Sequence, residues 1–151
     1  MRCILKSVLV VSTLFFATLT LGAEGLVTVK SSHDVKATVD KLESVLKDKG
    51  MTVMARVNHQ QGAKKAGLEL RPTEVLIFGN PKVGTPLMQC AQSVAIDLPQ
   101  KALIWEDENG DTWLAYNDLD YLKSRHGIEG CDEVLEKVSG ALAAFAKAAT
   151  E

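Results

Sequence analysis

The sequence predicts one small domain of the α+β class. Short runs rich in β-branched residues recur along the chain, two of them flank Asn109-Gly110, and stripes at helical spacing lie between and after them. There are no internal repeats and no low-complexity linkers, and residues 24–151 suffice for a single core.

The chain opens with Arg2 and Lys6, continues as an apolar run from Ser7 to Leu21, and reaches the small residues Gly22 and Ala23. That is the order of a secretory leader. A run of this length falls short of the roughly 20 residues a helix needs to cross hydrocarbon. Cleavage is therefore expected, after Gly22 or after Ala23. Residues 1–23 are taken as the signal and 24–151 as the domain, placed in the periplasm or secreted, with no stable membrane insertion.

Leu26 to Val29 alternates and reads as a first strand. Asp34 or Ser31 can cap a helix whose apolar positions are Val35, Val39, Leu42 and Leu46, stopped by Gly50. Thr52 to Val57 reads as a second strand, with Val53, Ala55 and Val57 facing one way and Met54 and Arg56 the other. The polar stretch from Asn58 to Pro72 reads as a loop or short helix, and Thr73 to Phe78 as a buried strand. Thr85-Pro86 has the form of a helix start, cap then proline, so a helix from Pro86 to about Ala95 is expected.

Lys101 to Asp107 and Asp111 to Asn117 predict a hairpin, with Asn109-Gly110 as a two-residue type I′ turn. Such pairing would put Ala102, Ile104, Glu106, Trp113, Ala115 and Asn117 on one face. Leu103, Trp105, Asp107, Thr112, Leu114 and Tyr116 would take the other. Each face then carries a tryptophan, so both are expected to be covered. Asp118 caps a short helix that Gly127 ends, and Asp132 opens a longer one with Leu135, Val138, Leu142, Phe145 and Ala149 on its apolar stripe.

Loss of the leader leaves 15 basic against 19 acidic side chains, with Lys64-Lys65 as the one basic pair. Nucleic acid is not an expected partner, because phosphate recognition needs a concentrated basic surface. Cys90 and Cys131 remain in an oxidising compartment, where they can form one disulfide. The alternative is a reactive thiol at Cys131, near a helix start.

Gly79 to Gly84 has the glycine spacing of a phosphate-binding loop in the right strand-to-helix context, but Thr85-Pro86 replaces the Lys-Ser/Thr that nucleotide hydrolysis requires. What remains is a candidate site for a small anionic ligand at Lys82, Gly84 and Thr85, set at a helix start. His59, Tyr116 and Arg125 complete the ligand-binding candidates. His33, His59 and His126 share no metal-ligand spacing, so no metal and no cofactor is expected. No nucleophile signature marks a catalytic residue.

Several strings together resemble the domain of unknown function 302 family: Gly25 to Val29, Gly67 to Glu74, Ile77 to Lys82, Gly84 to Met88, Asp97-Leu98-Pro99, and Tyr121 to Gly127. The resemblance covers nearly all of residues 24–151. It implies a TATA-binding-protein-like fold, a curved, mainly antiparallel sheet of about five strands with helices packed on one face, often as a homodimer. It implies no settled activity, and the fold likeness to a DNA-binding protein carries no functional weight. Cys90 stands where the family usually has alanine, so a bridge to Cys131 is no family feature. The expected role is an exported ligand-binding or protein-interaction module acting as a homodimer. The alternatives are a redox or metal-handling protein using Cys90, Cys131 and histidines, and an enzyme of unknown reaction.

Overall fold

The computed structural model describes residues 23–151. The expected leader, apart from Ala23, lies outside the described residues. The elements are β1 (Leu26–Lys30), α1 (Val35–Asp48), β2 (Thr52–Asn58), α2 (His59–Lys65), β3 (Thr73–Gly79), α3 (Pro81–Cys90), a 3₁₀ turn (Gln92–Ile96), β4 (Gln100–Glu106), β5 (Thr112–Asn117), α4 (Leu119–His126) and α5 (Asp132–Thr150). The strands form one antiparallel sheet in the order β1-β5-β4-β3-β2.

Local chemistry starts and stops the helices as the sequence suggests. Asp34 accepts from Ala37 N at 2.7 Å to cap α1, and Gly50 leaves that helix at φ +72°. Asp118 caps α4, and Gly127 takes the left-handed conformation that ends it. Gly25 is required for a different reason. A Cβ there would lie 2.5 Å from Cγ of Tyr121, so the ring of α4 fits against β1 only where no side chain stands.

The core lies between one face of the sheet and helices α1 and α5. Val39, Leu42 and Leu46 of α1 and Leu142, Ala146 and Ala149 of α5 meet Leu76, Phe78, Ala102, Ile104 and Leu114 from the strands. These side chains are almost wholly withdrawn from water, and full burial of each large aliphatic residue contributes about 1.5–3 kcal/mol before entropy is counted.

Three local expectations change. In β2 a bulge between Val53 and Ala55 breaks the alternation, so Val53 pairs with Phe78, Arg56 with Leu76, and the two share the core side of the sheet. Helix α3 begins at Pro81, five residues before the expected Pro86, because Asn80 rather than Thr85 is the cap and accepts from Lys82 N at 2.9 Å. Pro86 then lies inside the helix.

The hairpin also differs. Gly110 has φ +81° but Asn109 does not have positive φ, which rules out a type I′ turn. Asp107 N instead donates to Asp111 O at 2.9 Å, closing a three-residue loop of Glu108, Asn109 and Gly110. The Asp107 carboxylate selects this loop by accepting from Asn109 N at 2.8 Å and Asp111 N at 3.0 Å. One extra loop residue slips the register by one, which exchanges the faces of one strand. Trp105 therefore stands opposite Trp113 and Glu106 opposite Thr112. Both indoles lie on the outer face, half-buried, while Tyr116 joins Ala102 and Ile104 on the core face.

Candidate functional site

Helix α3, the segment after it and the stretch of α5 from Val134 to Phe145 stand apart enough to leave a cleft of about 420 Å³ against the end of β3 and the start of β4. Its wall is mostly hydrocarbon and sulfur: Met51, Met54, Val83, Leu87, Met88, Leu98, Val138, Leu142 and Phe145. The chain has four methionines, and all except Met1 line the cleft. Unbranched thioethers adapt to varied shapes, which is why methionine is favoured at accommodating binding surfaces. The volume equals roughly fourteen water-sized units, within the range of small-molecule sites.

Polar groups at the cleft are few. Asn80, Lys82, Thr85, Gln100 and Lys137 border it. Gln100 opens β4 opposite Phe78 on the core side and is 6% exposed. Neither its Nε2 nor its Oε1 has a hydrogen-bond partner among the described residues. The chain reaches Gln100 through a cis peptide at Leu98-Pro99, and Pro99 Cβ would sit 3.4 Å from a Cβ at Gly79. Leu98 and Pro99 form the floor of the cleft beside Gly79 at the end of β3.

Two devices fasten the walls. Cys90 at the end of α3 is joined to Cys131 at the start of α5, with Cα atoms 6.4 Å apart. His126 holds the segment after α3: its Nε2 lies 2.6 Å from Asp97 Oδ2 and its Nδ1 3.1 Å from Ser93 Oγ. This bond pair ties α4 to the stretch leading into Leu98. With Nε2–H donating to the carboxylate, Nδ1 accepts from the serine hydroxyl. Ser93 is exposed and does not line the cleft, so the trio acts as a latch.

Of the six residues expected to meet a ligand, Lys82, Gly84 and Thr85 line the cleft. Gly84 N is spent on Asn80 O at 3.0 Å within α3, so these backbone amides form no anion cradle, and only the Lys82 side chain remains as a positive group there. The other three lie elsewhere. His59 is the exposed first residue of α2. Tyr116 is 6% exposed in the core, where burial first and Asp118 second push its phenol pKa up. Arg125 faces Asp97 at 3.6 Å and the Tyr121 hydroxyl at 3.4 Å. Among the described residues, no three His, Cys, Asp or Glu side chains converge as a metal site would require.

A second polar cluster sits at the far end of β3. Glu74, 7% exposed, accepts from Arg56 Nε at 2.5 Å and from Asn58 Nδ2 at 3.0 Å, and Arg56 reaches Asp40 at 2.6 Å. The Glu74 hydrogen bond raises the Arg56 pKa further, and Lys36 followed by Arg56 holds the Asp40 carboxyl below its usual value. Neither this cluster nor the cleft has a contiguous sequence signature. The grouping of all methionines beyond Met1 on apolar-facing positions was the one available hint.

A family model described as "Domain of unknown function DUF302" matches residues 27–145. A crystal structure of an uncharacterized conserved protein DUF302 from Bacillus stearothermophilus superposes with a TM-score of 0.75 at 23% identity, covering 84% of this chain and 99% of that one. It shares the fold. Proteins named fluoride-specific ion channel FluC 1 from Brucella suis biovar 1 and Brucella abortus biovar 1 are each 50% identical over 104 residues, 69% of this chain. The matched segment spans only 41% and 38% of those relatives.

Proposed function

The chain belongs to the DUF302 family, and from that premise we propose that it is an exported module holding one small, largely apolar ligand in the cleft between α3, α5 and the sheet. The carrying observation is the cleft itself, a methionine-rich hollow with few polar groups, its two helical walls bridged through Cys90 and Cys131. A pocket fixed before the ligand arrives loses less ordering entropy on binding, so modest contacts suffice.

Titration with the neutral fluorescent probe N-phenylnaphthylamine tests the reading. Saturable binding at one site per chain is expected, abolished by Ala141→Phe, which fills the cleft from α5 while sparing the buried stripe. Equal binding by the variant, with its fold intact, contradicts it.

Assembly as a homodimer through the outer sheet face is part of the same proposal. Leu103, Trp105 and Trp113 are half-buried there, and Leu26 and Val57 are each 38% exposed, an apolar surface that a second copy can cover. Sedimentation at micromolar concentration should give a dimer, and Trp105→Glu a monomer. The Brucella relatives suggest the domain's setting. Among the described residues no helix is long and apolar enough to cross a membrane, so ion conduction in those proteins is assigned to the part this chain does not span. Fluoride at millimolar concentration should leave the melting temperature unchanged.

A further inference from the structure

We infer that Gln100 selects the ligand by its head group, and that the ligand is an uncharged molecule with an apolar body ending in a carboxamide or lactam. This rests on the cleft being a ligand site and names the chemistry that site accepts. The supporting geometry is specific. Gln100 borders an apolar hollow and is 6% exposed; both amide atoms are unpartnered among the described residues and closed to water, so a head group meets them once the side chain turns toward the hollow. Native proteins seldom leave such atoms unmatched, since each forfeits the hydrogen bonds that water supplied to the unfolded chain.

A glutamine amide offers an acceptor, Oε1, and a donor, Nε2–H, side by side in one plane. The complement is a group that also offers a donor and an acceptor on adjacent atoms. A carboxamide or lactam closes both bonds at once. An ester supplies an acceptor alone and leaves Oε1 unmatched. A carboxylate also has no donor, and its charge is disfavoured beside Val138, Leu142 and Phe145. Among the described residues, Lys82 and Lys137 are the only cationic ones bordering the cleft, and they define the rival reading, in which an anionic head is held by a lysine.

The volume sets the size of the body. An eight-carbon chain with its head has about ten heavy atoms, fewer than the roughly fourteen water-sized units available. Three octyl probes therefore separate the readings: octanamide, methyl octanoate and octanoate, each displacing N-phenylnaphthylamine from the full-length mature chain. Octanamide should displace the dye at about one-tenth the concentration of the other two, the ratio that one to two neutral hydrogen bonds supply. In Gln100→Leu and in the volume-conserving Gln100→Met, the ratio should fall to about one while dye affinity is retained.

Equal displacement by all three probes in the wild-type protein overturns the inference and leaves the cleft reading standing. So does a preference for octanoate that survives Gln100→Leu and disappears in Lys82→Ala or Lys137→Ala. Failure of the dye to bind the wild-type protein removes the cleft reading and the inference with it.

Discussion

Strands β3 and β4 each bury a polar side chain on the core side of the sheet, at opposite ends of the pair, and the two are treated in opposite ways. Glu74 is 7% exposed and Gln100 is 6% exposed. Glu74 accepts from Arg56 and Asn58, and Arg56 is in turn held by Asp40. Gln100 has no partner among the described residues. A buried carboxylate without donors would be ruinous, so the fold supplies two. An unmatched neutral amide costs only about 1–3 kcal/mol, a penalty that a domain can carry. The contrast separates polar burial matched within the fold from polar burial left unmatched among the described residues, which the proposed ligand would match.

The largest effect expected concerns the walls of the Gln100 end. The bridge between Cys90 and Cys131 closes a loop with a separation of 41 residues, for which chain entropy predicts about 4 kcal/mol of stabilisation. Reduction should lower the unfolding free energy measured in urea by that amount and weaken dye binding together with it. Two titratable thiols in oxidised, purified protein would show that the bridge does not form in solution.

At the other end, Arg56→Ala should lose about 3 kcal/mol, because it strands a buried carboxylate rather than removing a surface ion pair. A loss near 0.5 kcal/mol, the size typical of an exposed pair, would mean that Glu74 is solvated and that the two ends are not different in kind. Gln100→Leu should move stability the other way, raising it by about 1 kcal/mol as an unmatched amide is replaced by hydrocarbon. Destabilisation by that variant, with the fold intact, would show that the amide already has a partner.

The smallest effect is acidic. Hydrogen bonds from Lys36 and then Arg56 depress the Asp40 carboxyl, and the Trp113 indole N–H, first among several donors, depresses that of Asp107. Both folded pKa values therefore lie below the unfolded value of about 3.9. Their contribution is fully present above that value and is lost as pH falls through the lower, folded one. Both groups are at the surface and screened, so the urea midpoint should be flat from about pH 7 to 5 and decline gently below about pH 4. Asp107→Asn should reduce that slope and leave the neutral-pH register intact.

Much of the fold was legible because its determinants are local. Asp34, Asp118, Gly50 and Gly127 start or stop helices through their own backbone neighbours, and the stripe from Leu135 to Ala149 needs only helical spacing. Legibility failed where two local solutions compete. Asn80-Pro81 and Thr85-Pro86 are both competent helix starts, and the Asn80 side chain captures Lys82 N first. Asn109-Gly110 suits a two-residue turn, yet the Asp107 carboxylate rewards a three-residue loop with two backbone donors and the Trp113 indole, and one slipped residue puts both tryptophans on one face.

The site was half visible. Lys82, Gly84 and Thr85, expected as an anion site, border the cleft because the strand-to-helix turn lies along its wall. Gln100 was not read at all. A glutamine at the start of a strand looks like solvent-facing polarity until the bulged β2, the Leu98-Pro99 floor and the distant helix α5 enclose it, and those are non-local facts.

The most direct test of the ligand site uses the methionines. With methyl-¹³C-labelled methionine and addition of octanamide, the ε-methyl signals of Met51, Met54 and Met88 should shift together, while the indole N–H signals of Trp105 and Trp113 on the opposite face stay in place. Methyl signals that remain fixed at saturating octanamide, or indole signals that move in their stead, would contradict a ligand held between α3, α5 and Gln100.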